Sequence, residues 1–309
     1  MRGLKTRAVP IGVLLLLCLL WAAASLRSDL LPGSTTAANS SPFFIQAALL
    51  AVFAIVSAAV ALARKAQWPR GQALILSVLA GIGLFVVPAL LIAVAKGSID
   101  ESTRVALFSL VPVFAVVLEP HIGTASSPQR AGLAAGLVAV VGTLLVFPME
   151  LPQTLPAAFA FGGIVLAVVS IAAANCLAVR IVTDPTAPSR WSFAGVAAGS
   201  AALILFALSA VTERLSPSAF LIDPWRALDL FALALLFWLM RYMTAVRMTM
   251  RFLIAPLLAN LIGLAFLRPG VQLRGWLGLS LIALGSGWLL FAPADEPERT
   301  GSPLGIHQP

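Results

Sequence analysis

Two prolines inside apolar runs, Pro112 and Pro256, are the residues here best placed to expose backbone chemistry. Proline removes an amide donor and crowds the preceding turn, so a helix bearing it opens at that point. Within a membrane the freed carbonyl must find a partner or line a wet cavity. It can then meet a solute or ion, or the proline can simply kink a packing helix. Eighteen residues after each proline stands an arginine, Arg130 and Arg274, that opens a second apolar run. These runs read RAGLAAGLVAVVGTLLVFP at 130–148 and RGWLGLSLIALGSGWLLFAP at 274–293, offset by 144 residues in a chain of 309. Matching Pro-interrupted segments in two halves of a membrane chain point to a transporter and its binding site.

Few polar side chains accompany them. Asn260 lies one turn after Pro256 and shares its face. Asn175 and Ser170 share a later run, and Gln46 and Ser109 occupy earlier ones. A buried amide is costly unless paired, so each of these should face the bundle interior, against a solute or a neighbouring helix. Trp21 and Trp238 could line a cavity and stack on a ring or cation, or anchor at the interface. Pro112, Pro256, Trp21, Ser109, Ser170, Asn175, Trp238 and Asn260 therefore form the expected solute pathway. Glu119, His121 and Arg241 fall at the expected cytoplasmic mouth. Arg241 there snorkels or attracts an anion, and the other two serve as loop residues or as a proton relay.

Catalysis has little to work with. There is no G-x-S-x-G, H-E-x-x-H or Walker A sequence. Cys18 and Cys176 sit singly in apolar runs, without metal-ligand spacing. The expectation is no catalytic residue, no metal, no cofactor and no direct ATP drive.

Sixty per cent of residues are hydrophobic and 10% charged, with a mean hydropathy of +1.01. Soluble domains carry about 25% charged residues, so this chain is expected to be an all-α polytopic membrane protein. Apolar runs predict ten helices at 11–31, 43–63, 73–94, 103–118, 131–147, 156–179, 191–211, 227–243, 251–267 and 275–291. If each crosses once from a cytoplasmic N-terminus, 13 of the 20 Lys and Arg fall on the cytoplasmic side and seven outside. That bias fits the positive-inside rule for an inner (plasma) membrane protein with both termini cytoplasmic. In this tally Arg247 and Arg251 count as cytoplasmic loop residues. The formal charge of +8 is thereby explained by short loops, without a nucleic-acid partner. Five helices per half is an odd number, so the second half must be inverted relative to the first. The domains read as 1–150, 151–293 and a disordered polar tail at 294–309. A competing reading takes MRGLKTR, the following apolar run and WAAAS as a cleaved signal peptide, which would leave nine spans.

The paired pattern resembles the EamA-like branch of the drug/metabolite transporter superfamily. GSIDESTRVALFSLVPVFAVVLEP followed by RAGLAAGLVAVVGTLLV looks like that family's helix 4–loop–helix 5 signature. RYMTAVRMTMRFLIAPLLANLIGLAFL followed by RGWLGLSLIALGSGWLLF is similar, and LLLCLLWAAAS looks like its Trp-bearing first helix. The resemblance spans about 11–291. It implies ten helices, a cavity between the halves and movement of small organic solutes, commonly outward. Many members carry a Glu beside the proline or in the turn after it. Here Val111 and Ala255 precede the prolines, Glu119 partly fills the first turn position, and Arg268 stands near the second.

The expected pocket is mostly apolar with a few amides and no set of basic residues at mid-depth. It suits amino acids or drug-like metabolites better than polyanions, with a proton or other ion as coupling partner. Gly132 and Gly136 form a G-x-x-x-G that serves internal packing or a homodimer. Two alternatives stay open: a transport-inactive scaffold or partner subunit, and an intramembrane enzyme acting on lipid-linked substrates.

Overall fold

Long apolar runs leave the backbone no partner but itself, and in hydrocarbon that selects the helix. The computed structural model describes residues 2–26, 42–123, 130–184, 188–213, 226–267 and 272–291. Among these it is helical throughout, with no β-strand beyond one isolated bridge between Lys96 and Ile99. We number the helices α1 (Arg2–Ser25), α2 (Pro42–Ala63), α3 (Gln72–Ala95), α4 (Glu101–Ile122) and α5 (Arg130–Val146). Then follow α6 (Leu155–Thr183), α7 (Arg190–Thr212), α8 (Arg226–Leu239), α9 (Ala245–Thr249 with Arg251–Leu267) and α10 (Leu273–Phe291). Eight are long and apolar enough to cross a membrane, so the chain is a multi-pass membrane protein. The other two are α5, apolar over Ala131–Val146, and α8, of 14 residues. Fourteen residues reach only about 21 Å, short of a 30 Å hydrocarbon core.

Polar side chains fix several helix starts by accepting from backbone N–H groups that have no intrahelical partner. Asp100 accepts from Thr103 N at 3.1 Å to start α4. Thr154, Ser189 and Thr244 cap α6, α7 and α9 in the same way. At α2 the cap comes from another helix: the Glu213 carboxylate accepts from Phe43 N at 2.9 Å and Phe44 N at 3.1 Å.

Three helices are interrupted, two of them close to the prolines of the repeat. In α4 the helix breaks at Ser109–Leu110 and restarts at Val111, with Pro112 in the first turn, where a missing N–H costs nothing. In α9 it breaks at Met250, one residue before Arg251 and six before Pro256. In α3 a π-helical turn spans Ile82–Val86 just before Pro88. Ser170 of α6 donates to the Gly83 carbonyl in that turn at 3.2 Å.

The closest packing is between α2 and α7, and between α5 and α10. The latter pair touches backbone to backbone. A Cβ on Gly142 would lie 2.7 Å from the Gly278 carbonyl oxygen, and one on Gly285 would lie 2.5 Å from that of Ala135. As the residue number rises along α5 from 135 to 142, its partner falls along α10 from 285 to 278, so the two helices run antiparallel. Further principal contacts join α4 with α6 and α1 with α9, α3 with α6 and α1 with α8, α3 with α7 and α2 with α8.

The sequence-based bounds need several corrections. Helix 6 extends to Thr183 and helix 4 to Ile122, whereas helix 8 ends at Leu239. The ninth helix begins at Ala245, because Met248 and Met250 are buried in the bundle and carry the chain inward before Arg251. The tail at 294–309 and Arg268 lie outside the described residues.

Two outcomes follow. Gly285→Ala should lower the thermal unfolding midpoint of the purified protein by several degrees, since overpacking against backbone costs about 1–3 kcal/mol. Gly287→Ala on the same helix, where a Cβ meets nothing within 4 Å, should leave it unchanged; equal midpoints would contradict the close α5–α10 packing. At Asp100, hydrogen bonds from Ser102 and then Thr103 pull the carboxyl pKa from 3.8 to about 2. Its contribution is present above the unfolded value near 4 and lost as pH falls toward 2. The small difference in unfolding midpoint between wild type and Asp100→Asn should thus be full at neutral pH and close over that window.

Candidate functional site

The break at Met250 turns the chain so that the next side chain, Arg251, points into the bundle. Arg251 is 2% exposed, inside the 22-residue apolar segment Ala245–Phe266. Its Nη1 donates to Asn175 Oδ1 at 3.1 Å and to the Met248 carbonyl at 2.9 Å. Its Nε is buried with no hydrogen-bond partner. Among the described residues no Asp or Glu pairs with it. The positive charge is instead faced by ring π-systems: its Cζ lies 4.8 Å from the Phe252 centroid and 5.5 Å from that of Trp21. Cys18, 0% exposed, lies one turn before Trp21 on α1.

Four helices supply this cluster. Cys18 and Trp21 come from α1, Asn175 from α6, and Arg251 and Phe252 from α9. Phe108, just ahead of the break in α4, stacks on Phe252 with centroids 6.0 Å apart and planes 18° apart. Trp21 meets the same ring at 6.5 Å. The result is an aromatic row of Trp21, Phe252 and Phe108 beside a cation and an amide. Asn175 is held from its other end, its Nδ2 donating to the Ile171 carbonyl at 2.7 Å. Such a set can bind an anionic head and a flat apolar body. It offers no nucleophile with an adjacent base.

Of the sequence-predicted pathway residues, Trp21 and Asn175 meet here. Ser109 is buried at the α4 break, its hydroxyl bonded to the Ala106 carbonyl at 2.6 Å. Pro112 starts the second segment of α4, and Ser170 serves the α3 π-turn. Pro256 and Asn260 lie on α9, about 7 and 13 Å beyond Arg251 along the axis. Asn260 Nδ2 donates to the Pro256 carbonyl at 2.9 Å, within its own helix. Trp238 packs on Tyr242, with centroids 4.4 Å apart.

At the expected cytoplasmic mouth, His121 and Arg241 are exposed, but Glu119 is not a loop residue. It is 6% exposed on α4, where its carboxylate faces the backbone N–H groups of Ala245 and Val246 at the start of α9. The N-terminus of α9 carries positive partial charge and unpaired donors, which is why an acid can be buried there.

The residue missed by sequence reasoning is Arg251, which the charge tally counted on the cytoplasmic side and which the structure buries in the bundle. A signal did exist. The stretch AVRMTMRFLIAPLLANLIGLAF holds only two charges over 22 residues, and trimming it at Arg251 left a helix too short to span.

No family model matches this chain, and no curated protein does. Solved structures do: 26 chains match. One crystal structure, described in words only as that of a protein, aligns with TM-score 0.68 over 92% of this chain and 97% of its own, at 16% identity. At that identity the likeness concerns the fold alone.

Glu119→Ala removes the buried carboxylate that faces the positive end of α9 and should destabilise the protein by about 1 kcal/mol, with Glu119→Gln intermediate. Thermal unfolding in lipid nanodiscs measures this; no change in Glu119→Ala would mean that the carboxylate does not hold α4 to α9.

Proposed function

We propose that the chain is a secondary permease of the inner membrane that moves small organic solutes by alternating access between two inverted five-helix halves, 1–150 and 151–293. One observation carries the reading: most of the principal packing pairs have a counterpart when each helix number is exchanged for the one five away, α6–α9 being the exception. The pair α4–α6 becomes α9–α1, α3–α6 becomes α8–α1, and α3–α7 becomes α8–α2. The pairs α2–α7 and α5–α10 map onto themselves. In α5–α10 the two helices are the matching members of the repeat and run antiparallel, which supports inversion of one half against the other. The interruptions near Pro112 and Pro256 support a site between the halves, where broken helices hold solutes in such transporters. The cluster at Arg251 draws on α1 and α4 of the first half and α6 and α9 of the second. The fold-level likeness to solved chains and the EamA-like resemblance are compatible with this function. Outward transport and proton coupling are part of the proposal, with the solute bound as an amino acid or related metabolite.

Purified protein in proteoliposomes should give saturable flux of one class within a labelled panel of amino acids and small metabolites, measured with and without a proton gradient. Asn175→Ala, which removes the side-chain acceptor of Arg251, should lower that flux at least fivefold. Absence of flux for every solute, from protein that melts cooperatively, would overturn the reading in favour of a scaffold subunit.

A further inference from the structure

Arg251 is a buried cation with no acid beside it among the described residues. An ionised side chain enclosed in an apolar bundle is destabilising by several kcal/mol unless paired. Structural arginines at such depth are expected beside a carboxylate, and among the described residues this one has none. Its Nη1 is used twice, by Asn175 and the Met248 carbonyl, and these two bonds orient the guanidinium plane. The Nε is left without a partner although the residue is 2% exposed. A guanidinium offers its donors in a rigid planar fork whose geometry matches a carboxylate. The surroundings limit what can bring one. Trp21, Phe252 and Phe108 present ring faces and edges, and Cys18, one turn before Trp21, is buried. Among the described residues no second Lys or Arg joins the cluster, so the site balances one negative charge rather than two.

We propose that Arg251 is the docking point for the carboxylate of a monoanionic solute whose flat or aromatic body lies along Trp21, Phe252 and Phe108, with Asn175 as the positioning residue. The proposal rests on the permease reading in taking the solute to pass between the halves. It explains why the cluster spans both halves. A carboxylate bound there neutralises the charge and bridges α1, α4, α6 and α9, so the enclosed state is favoured when loaded. With the solute absent, the bare cation favours opening toward water.

The test uses the full chain in lipid nanodiscs with three probes of similar shape: 3-phenylpropionate, its uncharged amide, and phenyl phosphate. Tryptophan fluorescence reports binding, and thermal unfolding reports folding. The expected result is saturable binding of 3-phenylpropionate to wild type at least tenfold tighter than of the amide or of the phosphate at a pH where it is a dianion. Arg251→Gln should abolish that preference, and Arg251→Lys should weaken it, because a point charge lacks the fork. Arg251→Gln should also melt no lower than unliganded wild type, since it removes an unpaired buried charge. Equal binding of acid and amide to wild type would overturn the proposal without recourse to any variant. So would retained acid preference in Arg251→Gln, or preference for the phosphate. Flux separates the two readings. If the acid binds through Arg251 but never crosses proteoliposome membranes, the permease reading fails and the docking point stands. If solutes cross without regard to Arg251 or to a carboxylate, the docking point fails and the permease reading stands.

Discussion

Burying a guanidinium among alkyl and aromatic side chains, with no carboxylate beside it among the described residues, is a demanding electrostatic arrangement. Much of the local architecture can be read as a response to it. The helix break at Met250 exposes the Met248 carbonyl, which then accepts from Arg251. Asn175 turns its oxygen to the guanidinium and its nitrogen to its own helix. Two rings place their negative faces near the charge. Each contact offsets part of the desolvation cost, and Nε remains a buried donor without a partner.

Around that centre, the bundle is organised by small residues that let helix backbones touch. Gly142, Gly278 and Gly285 bring α5 and α10 into backbone contact, and Gly81 does the same for α3 against the Ala197 carbonyl of α7. With lipid on the outside, close van der Waals approach replaces the hydrophobic effect as the source of helix association. Carboxylates then meet helix starts across the bundle: Glu213 of the α7 end caps α2, and Glu119 of α4 faces the first N–H groups of α9. Both sit where the unpaired N–H groups of a helix start can solvate an acid.

Much of this was legible in the residues. Hydropathy and length located the apolar helices, and the 18-residue Pro-to-Arg spacing pointed to the two helices interrupted at Ser109–Leu110 and Met250. Trp21 and Asn175 stood out because polar or amphipathic side chains at depth are costly. Arg251 did not, because positive charges after Arg241 and Arg247 read as a loop, and sequence alone does not say that Met248 and Met250 are buried on the way to it. Glu119 was placed in a turn for the same reason: nothing local indicates that the start of α9, distant in sequence, is the partner that makes its burial affordable. Long-range pairing of helix ends carries no periodic signature.

On the proposed permease reading, the Arg251 cluster, enclosed here, opens in turn to each side of the membrane. Cys18, 0% exposed and one turn before Trp21 on α1, reports on this directly once Cys176 is replaced by Ser. A membrane-impermeant methanethiosulfonate reagent added to the outside, and separately to the inside, of oriented vesicles should modify Cys18 slowly from both sides. A solute that binds the cluster should slow both rates together. Modification from one side only, or a complete absence of modification in protein that remains active, would contradict the account.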